Sequence, residues 1–208
     1  MQKIIRVRHV PRALHWVAVL SCLAPMTPAQ AWVLGITGGP RQLFLQVGNG
    51  TLNTNVGTIN LVSTSVLAGQ LGNGTAVPMT SNSTQAASPW DGFTVCVPTS
   101  GQVYVGGYYR RNSNAEAASA TLQVTSPTNL VSAGGDVIPF NTVSWTSTAL
   151  GNTTADIPAG TFNGSTQFLR TIAANTYVEN CHTFSYSNAA VQASGTYDGR
   201  VSYTLASP

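Results

Sequence analysis

Beyond residue 40 the apolar positions recur every second residue, the period of a β-strand rather than a helix. Leu43, Leu45 and Val47 alternate with Phe44 and Gln46, and the run ends at Gly48-Asn49-Gly50. A weaker run holds Val56, Ile59, Leu61 and Val62; Asn73-Gly74 then signals a turn, and the polar stretch 80–88 an exposed loop. Further strands are expected at 92–97, 102–109, 119–126, 137–147, 166–172, 177–187 and 195–206, with room for a short helix at 114–120. Short segments at regular spacing, punctuated by Gly, Pro and Asn, predict an all-β chain built as an antiparallel sandwich or barrel. In the segment 195–206, Tyr197, Val201, Tyr203 and Leu205 occupy alternate positions, and Thr196, Asp198, Arg200, Ser202 and Thr204 lie between them. One face suits a core and the other water. The sequence as given stops three residues later, so this strand is expected to be the last.

The first 31 residues follow a different pattern. Lys3, Arg6, Arg8 and Arg12 precede an apolar run from Trp16 to about Ala24, which is too short to span a bilayer. Pro28-Ala29-Gln30-Ala31 closes the segment with an A-x-A site. The order basic, apolar, small predicts a secretory signal over 1–31 and a single domain over 32–208. Removing the signal changes the charge balance. Arg41, Arg110, Arg111, Arg170 and Arg200 remain against six acids, a net charge of −1. Nucleic acid loses its electrostatic support as a partner, because neutralising phosphate takes clustered Lys and Arg.

Residues 32–208 contain no lysine and one histidine, His182. That excludes lysine Schiff bases, phosphate loops of the Walker type and a multi-histidine metal site within one chain. No G-x-S-x-G motif accompanies His182, the six acids are scattered, and no calcium-loop pattern exists. The chain is therefore expected not to be an enzyme and to need no cofactor or metal. Two cysteines, Cys96 and Cys181, remain after processing, and in an exported chain an isolated pair is expected to form a disulfide. Both lie in strand-like runs, so the bridge should tie two strands distant in sequence. Five N-x-S/T triplets, at Asn49, Asn73, Asn82, Asn152 and Asn163, arise readily in so Asn- and Thr-rich a chain.

Export, sparse charge, all-β patterning and one disulfide together resemble bacterial chaperone–usher pilus subunits. The closing Gly195-Thr-Tyr-Asp-Gly-Arg-Val-Ser-Tyr-Thr-Leu is similar to the last strand of the spore-coat-U-like pilins, as is Ile157-Pro-Ala-Gly160. The resemblance implies an immunoglobulin-like antiparallel β-sandwich that lacks a strand, supplied first by a periplasmic chaperone and then by a like subunit. It also implies that Tyr197, Val201, Tyr203 and Leu205 contact the incoming strand, and that the protein is secreted to the periplasm or the bacterial cell surface as a structural or adhesive subunit. Three features depart from the pattern: Ser207 stands where a penultimate aromatic is usual, the cysteine spacing differs, and Gly38-Gly39-Pro40 interrupts the alternation of Trp32, Leu34 and Ile36.

The alternative is a monomeric secreted module that binds neutral glycans. Trp90, Tyr108 and Tyr109 are the candidate contacts, with Trp145 and Tyr104 weighed beside them. Trp145 in Val143-Ser144-Trp145 and Tyr104 are expected instead to pack in the fold. Trp90, in Ser88-Pro89-Trp90-Asp91-Gly92, is the aromatic most expected to be exposed.

Overall fold

The computed structural model describes residues 37–50, 59–112, 118–148 and 154–208. The expected signal 1–31, residues 114–117 of the expected helix, Val56 and Asn152 lie outside the described residues, and where the expected helix would end the chain instead enters a strand at Ser119. The fold is all-β and antiparallel throughout its ladders. Its larger sheet runs in the order β1 (Gln42–Val47), β5 (Val103–Arg110), β12 (Thr176–Tyr186), β9 (Val143–Thr148) and β10 (Gly160–Thr161). A short strand β3 (Val77–Pro78) extends the β5 side of β12. The facing sheet has the order β11 (Thr166–Ala173), β6 (Ser119–Thr125) and β14 (Ser202–Ala206). Small sheets complete the fold: β2 (Val62–Ser63) with β4 (Thr80–Ser81), and β13 (Tyr197–Asp198), β7 (Asn129–Ser132) and β8 (Val137–Pro139).

The two main sheets enclose one core. Val103 and Val105 from β5, Val178 and Phe184 from β12, and Val143 and Trp145 from β9 meet Leu122 and Val124 from β6 and Leu169 and Ile172 from β11. Trp145 donates from Nε1 to Pro158 O at 2.9 Å, which satisfies the polar end of an otherwise buried indole. Together the two sheets form an antiparallel β-sandwich.

Several expected strands are shorter than the pattern implied. The run 137–147 divides at Phe140–Thr142, a 3-10 turn that follows Pro139, because proline has no N–H for a ladder. Segment 195–206 divides as well: Tyr197–Asp198 pairs with β7, whereas Ser202–Ala206 pairs with β6. The change of sheet falls at Gly199, where a Cβ would lie 2.6 Å from Phe140 and 2.8 Å from Leu130. Only a residue without a side chain lets the backbone pass there.

The stretch 92–97 forms no strand, only an isolated bridge between Ala87 and Thr94. Cys96 does bond to Cys181 across 85 residues, but it ties a loop to β12 rather than strand to strand. The stretch 80–88 is not an exposed loop either. Thr80–Ser81 pair with β2, and Ser83 and Ser88 are buried.

Candidate functional site

Two places bring the sequence-predicted residues together, on opposite faces of the larger sheet. On its outer face, alternation along β5 lines up Tyr104, Gly106, Tyr108 and Arg110. The register sets Tyr108 beside Phe44 of β1 and Tyr177 of β12. Phe44 and Tyr108 stack at 4.2 Å, and Trp90 caps them, 4.7 Å from Tyr108 and 5.9 Å from Tyr177. Trp90 arrives on a tight turn in which Gly92 N–H donates to Ser88 O at 3.0 Å and Phe93 N–H to the Asp91 side chain at 2.9 Å. The disulfide pins that loop to the sheet at Cys181, on the same face of β12 as Tyr177 and Glu179.

Beneath the loop is a buried polar cluster. The Tyr104 hydroxyl meets that of Tyr177 and donates to Glu179 Oε2 at 2.7 Å. Tyr104 leans over Gly106 to reach it, in space that a side chain at 106 would occupy. Burial pushes the Glu179 carboxyl above its ordinary range, with hydrogen bonds from Tyr104, Ser88 and Tyr177 pulling the other way. Burial also raises both tyrosines, and Glu179 adds to the rise. Beyond the rings, Gln42, Leu43, Phe44, Tyr108 and Arg110 line an open cleft of about 450 Å³. Arg110 lies over the Phe44 ring at 5.9 Å and donates to Gln42 Oε1.

The glycan candidates are thereby separated. Trp90 and Tyr108 share the outer face, with Trp90 half-buried and Tyr108 almost wholly covered by its neighbours. Tyr109 points to the other face, has no exposed surface, and accepts a hydrogen bond from Arg111 at 2.8 Å. Tyr104 and Trp145 are buried, as their positions in strands implied.

The second place is the edge of the smaller sheet. β14 pairs with β6 from Ser202↔Thr125 to Ala206↔Thr121 and, among the described residues, has no ladder on its other side. Val201, Tyr203 and Leu205 pack toward the core but stay half-exposed, while Ser202, Thr204 and Ala206 face out. Leu205 lies over Gly107 of β5, 3.6 Å from where a Cβ would stand. Facing them from β1 are Leu45 and Val47, half-buried, and Leu43, which is 38% exposed. The gap between the two edges is bridged at one end, where Arg41 donates to Pro208 O at 2.8 Å and to the Ser207 side chain. Tyr197 does not join this group; it sits in β13, with its hydroxyl donating to Ala193 O at 2.8 Å.

No family model, curated protein or solved structure matches this chain. Function therefore rests on the geometry. His182 and Cys181 are neighbours on β12 yet face opposite sides, the cysteine outward to Cys96 and the histidine into the core. Among the described residues no three His, Cys, Asp or Glu side chains gather as a metal ion would require, and no helix is long and apolar enough to cross a membrane.

Sequence reasoning missed Phe44, Gln42 and Arg110 as lining of the cleft, and Arg41 as the clasp on the last residues. One signal was present. A phenylalanine in the nominally polar register of 42–47 means that both faces of that strand are covered.

Proposed function

We propose that this is an exported structural or adhesive surface protein, a pilin-like subunit that assembles by β-strand exchange with like subunits after handling by a periplasmic chaperone. The observation that carries the reading is the edge of β14. Among the described residues its backbone has a ladder on one side only, and Val201, Tyr203 and Leu205 stand half-exposed opposite the apolar residues of β1. An extended strand laid along that edge gains main-chain hydrogen bonds from β14 and seats alternate side chains between the sheets. Two further features fit a subunit that works outside the cytoplasm: the disulfide and the basic-apolar-small order of residues 1–31. A crystal structure of the exported product tests the proposal. A strand from another chain paired along 202–206 is the expected result; residues of the same chain covering that edge would overturn it.

The outer-face cleft favours a second reading, the glycan-binding module. Trp90 presents a half-exposed ring, backed by the covered Phe44 and Tyr108, near the hydrogen-bonding side chains of Gln42 and Arg110 that line the cleft. Glycan-array binding that drops at least tenfold in Trp90→Ala, with the fold intact, is the outcome this reading requires. An array without signal removes it.

A further inference from the structure

Inside the sandwich, among the described residues, a polar side-chain contact joins β12 to β14. His182 Nδ1 lies 3.2 Å from the Tyr203 hydroxyl. The imidazole has no exposed surface, and its Nε2 is buried without a hydrogen-bond partner. Around the ring stand Trp145 from β9, with centroids 6.0 Å apart, and Phe184 from β12 itself at 6.3 Å. Tyr203, from β14, is the titratable side chain that meets it, and burial is the sole cause that lowers His182 from the ordinary 6.5 to about 3. Burial raises the Tyr203 hydroxyl, so that group keeps its proton at any pH where the histidine titrates.

A neutral imidazole tolerates one idle nitrogen. The imidazolium has two N–H donors and a full charge, and here Nε2–H would face apolar surroundings with nothing to accept from it. The fold relieves that strain by bringing the ring to water. Of the elements around it, β12 is held on both sides by ladders, and β9 lies between β12 and β10. Among the described residues β14 has a ladder with β6 alone, with Arg41 clasping the residues just beyond it, and its inward side chains are already half-exposed. It is the part that gives way first.

We propose that His182 and Tyr203 form an acid-sensitive latch, which holds β14 against the sandwich at neutral pH and lets it loosen when the histidine takes up a proton. The inference deepens the strand-exchange reading and rests on it for its consequence: acid would ease the entry or departure of a partner strand at that edge.

His182 is the sole histidine of residues 32–208, so its ring gives one unobstructed NMR signal in the processed protein. The test follows that signal and backbone amide exchange between pH 7 and pH 2.5, a span that passes through the lowered histidine value, with exchange corrected for its intrinsic pH dependence. Amides 202–206 are expected to lose at least tenfold more protection than those of β5 and β12, in step with ring protonation. In Tyr203→Phe, the same amides should exchange roughly fivefold faster at pH 7, the loss of one ordinary hydrogen bond. His182→Phe should erase the difference between pH 7 and pH 2.5. The wild-type titration stands alone should either variant fail to fold. Protonation that occurs only as β5 and β12 open equally would overturn the latch, as would unchanged protection of 202–206. If the latch opens and the protein stays monomeric at both pH values, the latch survives and the strand-exchange reading falls.

Discussion

The two ionisable groups buried on either face of β12 respond to pH in opposite senses. His182 has a folded pKa of about 3 against an ordinary 6.5, so the unfolded chain binds the extra proton. Its contribution to stability is complete above pH 6.5 and is lost as pH falls toward 3. Glu179 is raised, chiefly by burial, so here the folded chain holds the proton more tightly. Its effect favours the fold at low pH and fades as pH rises through the raised value. Replacing Glu179 by Gln should therefore raise the urea midpoint at pH 8 and leave it nearly unchanged at pH 4. A larger gain at pH 4 than at pH 8 would contradict the buried-carboxyl account. The disulfide acts on the same loop by restricting the unfolded chain. With the cysteines 85 positions apart, Cys96→Ser with Cys181→Ser should cost about 4–5 kcal/mol by chain entropy, read as a fall in urea midpoint under oxidising conditions.

At the level of elements, close backbone approach decides where strands stop. Gly199 lets the chain leave β13 for β14 against Phe140 and Leu130, and Gly107 lets β5 pass within 2.6 Å, Cβ to oxygen, of the Phe44 carbonyl. Gly199→Val should cost about 1–3 kcal/mol through overpacking, seen as a lower thermal midpoint, whereas Gly134→Ala, whose Cβ would meet Asp136 and Ser132 only at ordinary contact distance, should change little. These positions also mark what the sequence could and could not disclose. The period-2 runs at 43–47, 102–109, 119–126, 166–172 and 177–187 became β1, β5, β6, β11 and β12 with ends shifted by a residue or so. Alternation is strong there because each strand faces the shared core on one side. It misled at 195–206, where the odd positions stay apolar through a change of sheet, and at 92–97, where the apolar residues serve a loop pinned by Cys96. Asn129–Ser132 was invisible because its pairing lies with β8 and β13 at the periphery. The site residues divide in the same way. Alternation alone put Val201, Tyr203 and Leu205 on one face of their strand, but the meeting of His182 with Tyr203 depends on which sheets face each other, and no local pattern encodes that.

For the whole molecule, an unpaired strand edge is a hazard that soluble β-proteins blunt with charge, proline or cover. Here Ser202, Thr204 and Ala206 face outward on β14 with no charge among them. Thr204→Lys places a cation on that edge at an exposed position. Stability should stay within about 0.5 kcal/mol of the parent, while assembly through the edge should fall sharply; unchanged assembly would argue against pairing at β14. The most direct measurement on the central claim is electrophoresis of the full chain exported to an oxidising compartment, with and without heating in detergent. Strand exchange predicts a ladder of species that survives detergent and collapses to one band on heating. A single band at the monomer mass in both lanes, from protein that is folded and disulfide-bonded, would contradict it.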